Sequence, residues 1–174
     1  MAFALGTDES FGATRWRFQH NVAMAVGADH REPGTHHPGV RWLIDGMNLV
    51  GSRPDGWWKD RDRAVRRLIE ELSRYAAASG EGVTVVFDRQ PQDVPPGVHG
   101  AATVAFASRR ERNAADDEIV RMLAQDPAPH SFTVVTSDRR LVERVRELGA
   151  EVASSASFRR RMDKALAGAP TQGT

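Results

Sequence analysis

From Arg41 onward the chain alternates two apolar patterns. Arg41–Ile44, Val83–Phe87 and Phe132–Val135 are short runs rich in Val, Ile and Phe. Runs of that length and composition, spaced by helical segments, read as buried parallel strands. Ala101–Ala107 is a weaker candidate strand, and Glu151–Ala153 a short last one. Between them the period changes. Val65, Leu68, Ile69, Leu72 and Tyr75 fall at i, i+3, i+4, i+7 and i+10, one stripe of a helix over Asp60–Ala78, with Gly80 as its stop. Further helices are expected from Asn113 or Ala114 to about Ala124, with Ile119, Val120 and Leu123 inward, over Asp138–Leu148, and over Ser157–Leu166. Gly51, Pro54 and Gly56 mark one loop, and Pro91, Pro95, Pro96 and Gly97 another. Strand and helix in alternation predict an α/β fold with a parallel sheet and right-handed crossovers.

The first forty residues break this pattern. They mix Gly, Ala, His and charge without a secretory apolar core, and read as a disordered leader with at most a short helix over Thr14–Val26. Residues 167–174 read as a flexible tail. The expected domain is therefore 41–166.

Three of the strands end on an acid. Asp45 closes Arg41-Trp42-Leu43-Ile44-Asp45, Asp88 follows Val85-Val86-Phe87, and Asp138 follows Val134-Val135-Thr136-Ser137. In an open α/β sheet ligands bind beyond the carboxyl ends of the strands. Carboxylates gathered there repel one another unless a cation or a shared proton holds them. A divalent-metal site is the leading expectation. Each motif also has a structural reading. Asp45-Gly46-Met47-Asn48 fits an Asx-type turn, with Asn48 otherwise free to orient Asp45 or contact a phosphate. Thr136-Ser137-Asp138 fits a helix N-cap, and a helix N-terminus also favours anionic ligands. Asp88 is either a further member of the cluster or a loop cap.

Asp116 and Asp117 open the middle helix. Asp116, Ile119 and Leu123 share a face, so Asp116 is the acid expected inward; Asp117 is expected at the surface, paired with Arg121 at i+4. First-turn acids are also favoured by the helix dipole alone. Ser108-Arg109-Arg110-Glu111-Arg112 precedes these acids, and Trp57-Trp58-Lys59 follows Asp45. Arg109, Arg110 and Arg112 suit phosphate contacts, and aromatic rings suit base stacking, although Trp57 and Trp58 equally suit a cap on the core.

Composition narrows the chemistry. The 174 residues carry a net charge of +1, so no global basic field announces a polyanionic partner. There is no cysteine, which removes disulfides, thiolate zinc sites and thiol nucleophiles and fits a cytoplasmic location. No apolar run approaches the roughly 20 residues needed to span a bilayer. There is no P-loop, dinucleotide-binding glycine fingerprint or Asp-X-Asp strand end. His36-His37, His99 and His130 are read as solvated or structural.

Leu43-Ile44-Asp45-Gly46-Met47-Asn48, Val85-Val86-Phe87-Asp88, Ala115-Asp116-Asp117-Glu118-Ile119 and Val134-Val135-Thr136-Ser137-Asp138 together resemble the NYN domain family, in particular its YacP-like branch within the PIN-like nucleases. The resemblance covers about Arg41–Leu166. It implies a PIN-like three-layer α/β/α sandwich with a central parallel sheet. It implies Mg²⁺- or Mn²⁺-dependent cleavage of single-stranded RNA, with RNA as partner and, from branch members that cut mRNA during translation, the ribosome. Matched motif by motif, Asp45, Asn48, Asp116 and Asp138 are its catalytic positions. Asp45, Asp116, Asp138 and Asp88 are the metal ligands, with Asp117, Thr136 and Ser137 in support. The extra acid that many PIN domains carry on an earlier helix has no clear match; Glu70 and Glu71 are the nearby candidates. Pairing of PIN-like domains leaves a homodimer open. Two other functions fit the same residues: an RNA- or ribosome-binding module that does not cut, and a small-molecule phosphohydrolase.

Overall fold

The computed structural model describes residues 39–108 and 113–168. Residues 1–38 of the expected leader, with its short helix, residues 169–174 of the expected tail, and Arg109, Arg110 and Arg112 lie outside the described residues. No described helix is long and apolar enough to cross a membrane.

Six strands form one sheet: β1 (Arg41–Asp45), β2 (Gly82–Phe87), β3 (Gly97–His99), β4 (Ala102–Phe106), β5 (Phe132–Val135) and β6 (Glu151–Ala153). Their spatial order is β3-β4-β2-β1-β5-β6. Five are parallel, and β3 alone runs antiparallel, on the edge beside β4. The expected parallel sheet is thus mixed at one edge. The Pro-rich segment read as loop continues into β3, a strand too short for periodicity to register. An edge position lets Pro95 and Pro96 precede it without breaking a ladder.

The helices are α1 (Gly46–Gly51), α2 (Arg61–Ser79), α3 (Ala114–Gln125), α4 (Arg139–Glu147) and α5 (Ser155–Gly168). Alternate strand residues face opposite layers, as a pleated strand dictates. Trp42, Ile44, Val83, Val85 and Phe87 pack with α1, α2 and α5; Leu43, Val86 and Val134 pack with α3 and α4. This is the expected three-layer α/β/α sandwich. The predicted α2 stripe is buried throughout, from Val65 to Tyr75. Asp60 caps α2, accepting from Arg63 N–H at 2.9 Å, and Gly80 ends it at φ 70°. Helix α5 runs to Gly168, two residues past the expected end at Leu166.

Helix α1 replaces the loop expected after Asp45. A Cβ on Gly46 would lie 2.3 Å from the Phe87 ring and 2.9 Å from the Val86 carbonyl oxygen. Glycine is therefore required by close approach to β2, not by an unusual φ. From β1 the chain moves to β2 and β4 on one side, then returns to β5 on the other. The topological switch lies between β1 and β5, and a crevice at their carboxyl ends is the expected ligand position.

Candidate active site

Asp45 stands at that switch point. It is 6% exposed and serves as the N-cap of α1, its Oδ1 accepting from Asn48 N–H at 3.1 Å. Its Oδ2 accepts from the Thr136 hydroxyl at 3.2 Å. Thr136, itself buried, accepts in turn from Asp138 N–H at 3.1 Å. One hydroxyl therefore ties the acid that ends β1 to the loop that follows β5. Asp138 caps α4, with Oδ1 accepting from Arg140 N–H at 2.8 Å and Leu141 N–H at 3.2 Å.

Asn48 orients Asp45 through its backbone. Its side-chain Oδ1 accepts from Ser137 N–H at 3.0 Å and from the Ser155 hydroxyl at 2.6 Å. Ser155 N–H donates to Ser137 Oγ at 3.3 Å. Asn48, Ser137 and Ser155 thus brace α1, the β5–α4 loop and the start of α5 against one another. Ser155 was not anticipated, since nothing in the sequence distinguishes it from other serines at helix starts.

Asp88 fastens the fourth acid. Asn113 precedes α3 with φ 67° and no side-chain cap. Asp88 Oδ1 instead accepts from Ala115 N–H at 2.9 Å, drawing the first turn of α3 to the end of β2. Asp116 is half-buried there and Asp117 is exposed, the expected orientation. The partner of Asp117 differs: it pairs across to Arg144 of α4 at 2.8 Å. Arg121 instead holds buried Glu118 and, at 2.8 Å, Gln125. Spacing on one helix pointed to i+4, but the adjacent helix offers the closer cation.

These acids act on one another. Burial pushes the Asp45 carboxyl from 3.8 up to about 6; the bonds from Asn48 and Thr136 oppose this, and the charges of Asp88 and Asp138 add to it. Burial likewise raises Asp116 from 3.8 to about 6, helped by the charges of Asp45, Asp138 and Asp88 and opposed by Arg144. Desolvation disfavours the charged form, and like charges reinforce the effect. Paired upward shifts beyond the carboxyl ends of the strands mark a candidate functional site.

The donors are carboxylate and hydroxyl oxygens, which suit hard cations such as Mg²⁺ or Mn²⁺. Among the described residues no group of three or more His, Asp or Glu side chains is arranged to hold a metal ion alone. Asp45 and Asp116 are the residues that could hold it, with Asp138 and Asp88 contributing charge. Glu71 is no further member: it is bound to Arg159 at 2.7 Å and Arg67 at 3.1 Å. His99 Nε2 lies 2.7 Å from the Pro95 carbonyl oxygen, a local structural contact.

Two crystal structures of Rae1 (YacP) from Bacillus subtilis share this fold. One superposes with a TM-score of 0.61 at 24% identity, covering 73% of this chain and 75% of that one. The other, of a mutant of the same protein, gives 0.60 at 24% identity, covering 72% and 76%. No curated protein matches the chain. The family model of the YacP-like NYN domain matches residues 42–172, which takes in every strand and helix around the acids. The chain belongs to the YacP-like NYN domain family.

Proposed function

We propose that this protein is a divalent-metal-dependent endoribonuclease acting on single-stranded RNA. The observation that carries the reading is the pair of carboxyls, Asp45 and Asp116, both raised to about 6 at the sheet's switch point. Family membership and the likeness to Rae1 support it. Bound at these carboxylates, Mg²⁺ or Mn²⁺ would supply charge neutralisation at the phosphate and acidify a water for attack at phosphorus. The protein's part is positional. Thr136 and Asn48 N–H fix both oxygens of Asp45. Asp88 sets the approach of Asp116 by holding Ala115. Asp138 adds negative charge while fixed as the α4 cap. Arg109, Arg110 and Arg112 precede Asp116 by a few residues and would supply charge for the RNA backbone.

The test is cleavage of end-labelled single-stranded RNA by wild type and Asp45→Asn, with Mn²⁺ or with EDTA. Cutting only by wild type and only with Mn²⁺ is expected. Full activity in Asp45→Asn would end the assignment. A second reading, a module that binds RNA or ribosomes without cutting, draws on the engagement of Asp88 and Asp138 by backbone N–H groups of α3 and α4, a structural role for both acids. Intact RNA after long incubation with Mn²⁺, with binding retained, would favour it.

A further inference from the structure

A second concave surface lies away from the acids. A cavity of about 390 Å³ opens between the α1–α2 connection, α2 and α5, with Arg53, Trp57, Lys59, Arg63, Arg67 and Arg159 on its wall. Its positive charge is only partly matched. One carboxylate, Glu71, serves three guanidinium groups: Arg159 at 2.7 Å, Arg67 at 3.1 Å and Arg53 at 3.4 Å. Asp163 and Asp55 take second bonds from Arg53 and Arg67. Lys59 and Arg63 enter no ion pair among the described residues, and Asp60 is engaged as the α2 cap. Arg159 is 8% exposed, and its Nε is buried without a hydrogen-bond partner. Burial, and after it the neighbouring Arg53 charge, lower its pKa, while Glu71 and Asp163 oppose them.

A pair of tryptophans lies in the α1–α2 connection that walls the cavity. Gly56, at φ 80°, turns the chain into a single 3-10 turn over Trp57–Lys59. Trp57 packs against the core and lines the cavity, whereas Trp58 is 59% exposed. The two rings meet edge to face, with centroids 6.2 Å apart. Trp58 keeps much of its ring open to solvent, and an aromatic face beside a basic groove is the combination that binds single-stranded nucleic acid. The cavity is also connected to the acids. Asp45 caps the start of α1, and Val50 near its end lines the cavity. Six residues of helix span ~9 Å, short enough for one strand to reach both places. Arg159 donates to the Leu49 carbonyl at 2.9 Å, one turn along α5 from Ser155, which bonds Asn48.

We propose that this cavity and Trp58 form a nucleotide subsite for single-stranded RNA, the phosphate entering the basic cavity and a base stacking on Trp58. The proposal rests on the RNA reading of the acidic site and adds where the strand runs on one side of it.

The test is fluorescence anisotropy of a labelled single-stranded oligouridylate in EDTA, so that nothing is cut. The proteins are wild type, Trp58→Ala, Trp58→Phe and Arg63→Glu. Wild type should bind with quenching of tryptophan emission. Trp58→Ala should lose roughly 5- to 100-fold in affinity, and Trp58→Phe should recover most of it. Arg63→Glu should bind more weakly and flatten the dependence on salt. In Mn²⁺, Trp58→Ala should raise KM and leave kcat unchanged. Both substituted positions are exposed, so loss of fold is not the expected cause, and matching thermal melts check this. Wild-type affinity in Trp58→Ala and Arg63→Glu would overturn the subsite while leaving the RNA reading intact. Absence of RNA binding by wild type would overturn both.

Discussion

Replacing Asp45 by Asn should make the metal-free protein more stable. The side chains are isosteric. Asn keeps an oxygen for Asn48 N–H, and its amide can donate to the Thr136 hydroxyl where Asp45 now accepts. What disappears is a buried charge. Folding raises this carboxyl from 3.8 to about 6, so between those values the unfolded chain holds fewer protons than the folded one. Stability therefore falls as pH rises through that window, and the penalty is complete above about 6. At pH 7.5 it amounts to about 3 kcal/mol, and by pH 4 most of it is gone. For a domain of this size the larger figure is a rise in Tm on the order of 10 °C. The assay is thermal or urea unfolding of both proteins in EDTA across that pH range. A Tm advantage for Asp45→Asn at neutral pH that shrinks towards pH 4 is expected. Equal or lower stability of the variant at pH 7.5, or an advantage independent of pH, would refute the claim that Asp45 is a strained, buried acid.

Other consequences are local. Gly46→Ala should destabilise the fold by about 1–3 kcal/mol, because its Cβ would meet the fully buried Phe87 ring and the Val86 backbone; wild-type urea midpoints would contradict this. Glu71→Leu should cost about 3–5 kcal/mol, since it strips buried Arg159 of its carboxylate; unfolding curves measure it, and a neutral result would show that the cation rehydrates. Asp138→Ala should lose about 1 kcal/mol by removing the α4 cap, whereas Asp138→Asn should keep the cap; both should lose cleavage, which separates the acid's charge from its structural role.

Much of this arrangement was legible in the chain. The stripe from Val65 to Tyr75 and the apolar runs ending at Asp45, Asp88 and Asp138 announce their elements because long periodic or uniformly buried segments leave a pattern. Helix α1 did not, because six residues make less than two turns, and Gly51, Pro54 and Gly56 read as breakers. Its helical form depends on the Asp45 cap and on burial of Leu49 and Val50, both tertiary effects. Edge strand β3 is three residues long and one-sided. The candidate acids could be named from strand ends, and the inward choice of Asp116 over Asp117 followed from helical phase. Their fastenings could not. Asn48 meets Ser155 across 107 positions, and Asp117 turns to Arg144 on another helix. Such contacts depend on how elements pack, which no local spacing encodes. The charge sharing of Glu71 with Arg53 and Arg159 was hidden for the same reason.

The proposed site leaves the repulsion among Asp45, Asp116, Asp88 and Asp138 only partly relieved, the remainder being for a cation to relieve. Calorimetric titration of Mn²⁺ into wild type, Asp45→Asn and Asp116→Asn near pH 6 tests it directly, in two buffers of different ionisation enthalpy. With both carboxyls raised to about 6, each is about half-protonated there, so wild type should bind Mn²⁺ and release protons. Both variants should bind far more weakly. Absence of Mn²⁺ binding by wild type, or binding of equal strength in the variants with no proton release, would contradict the account.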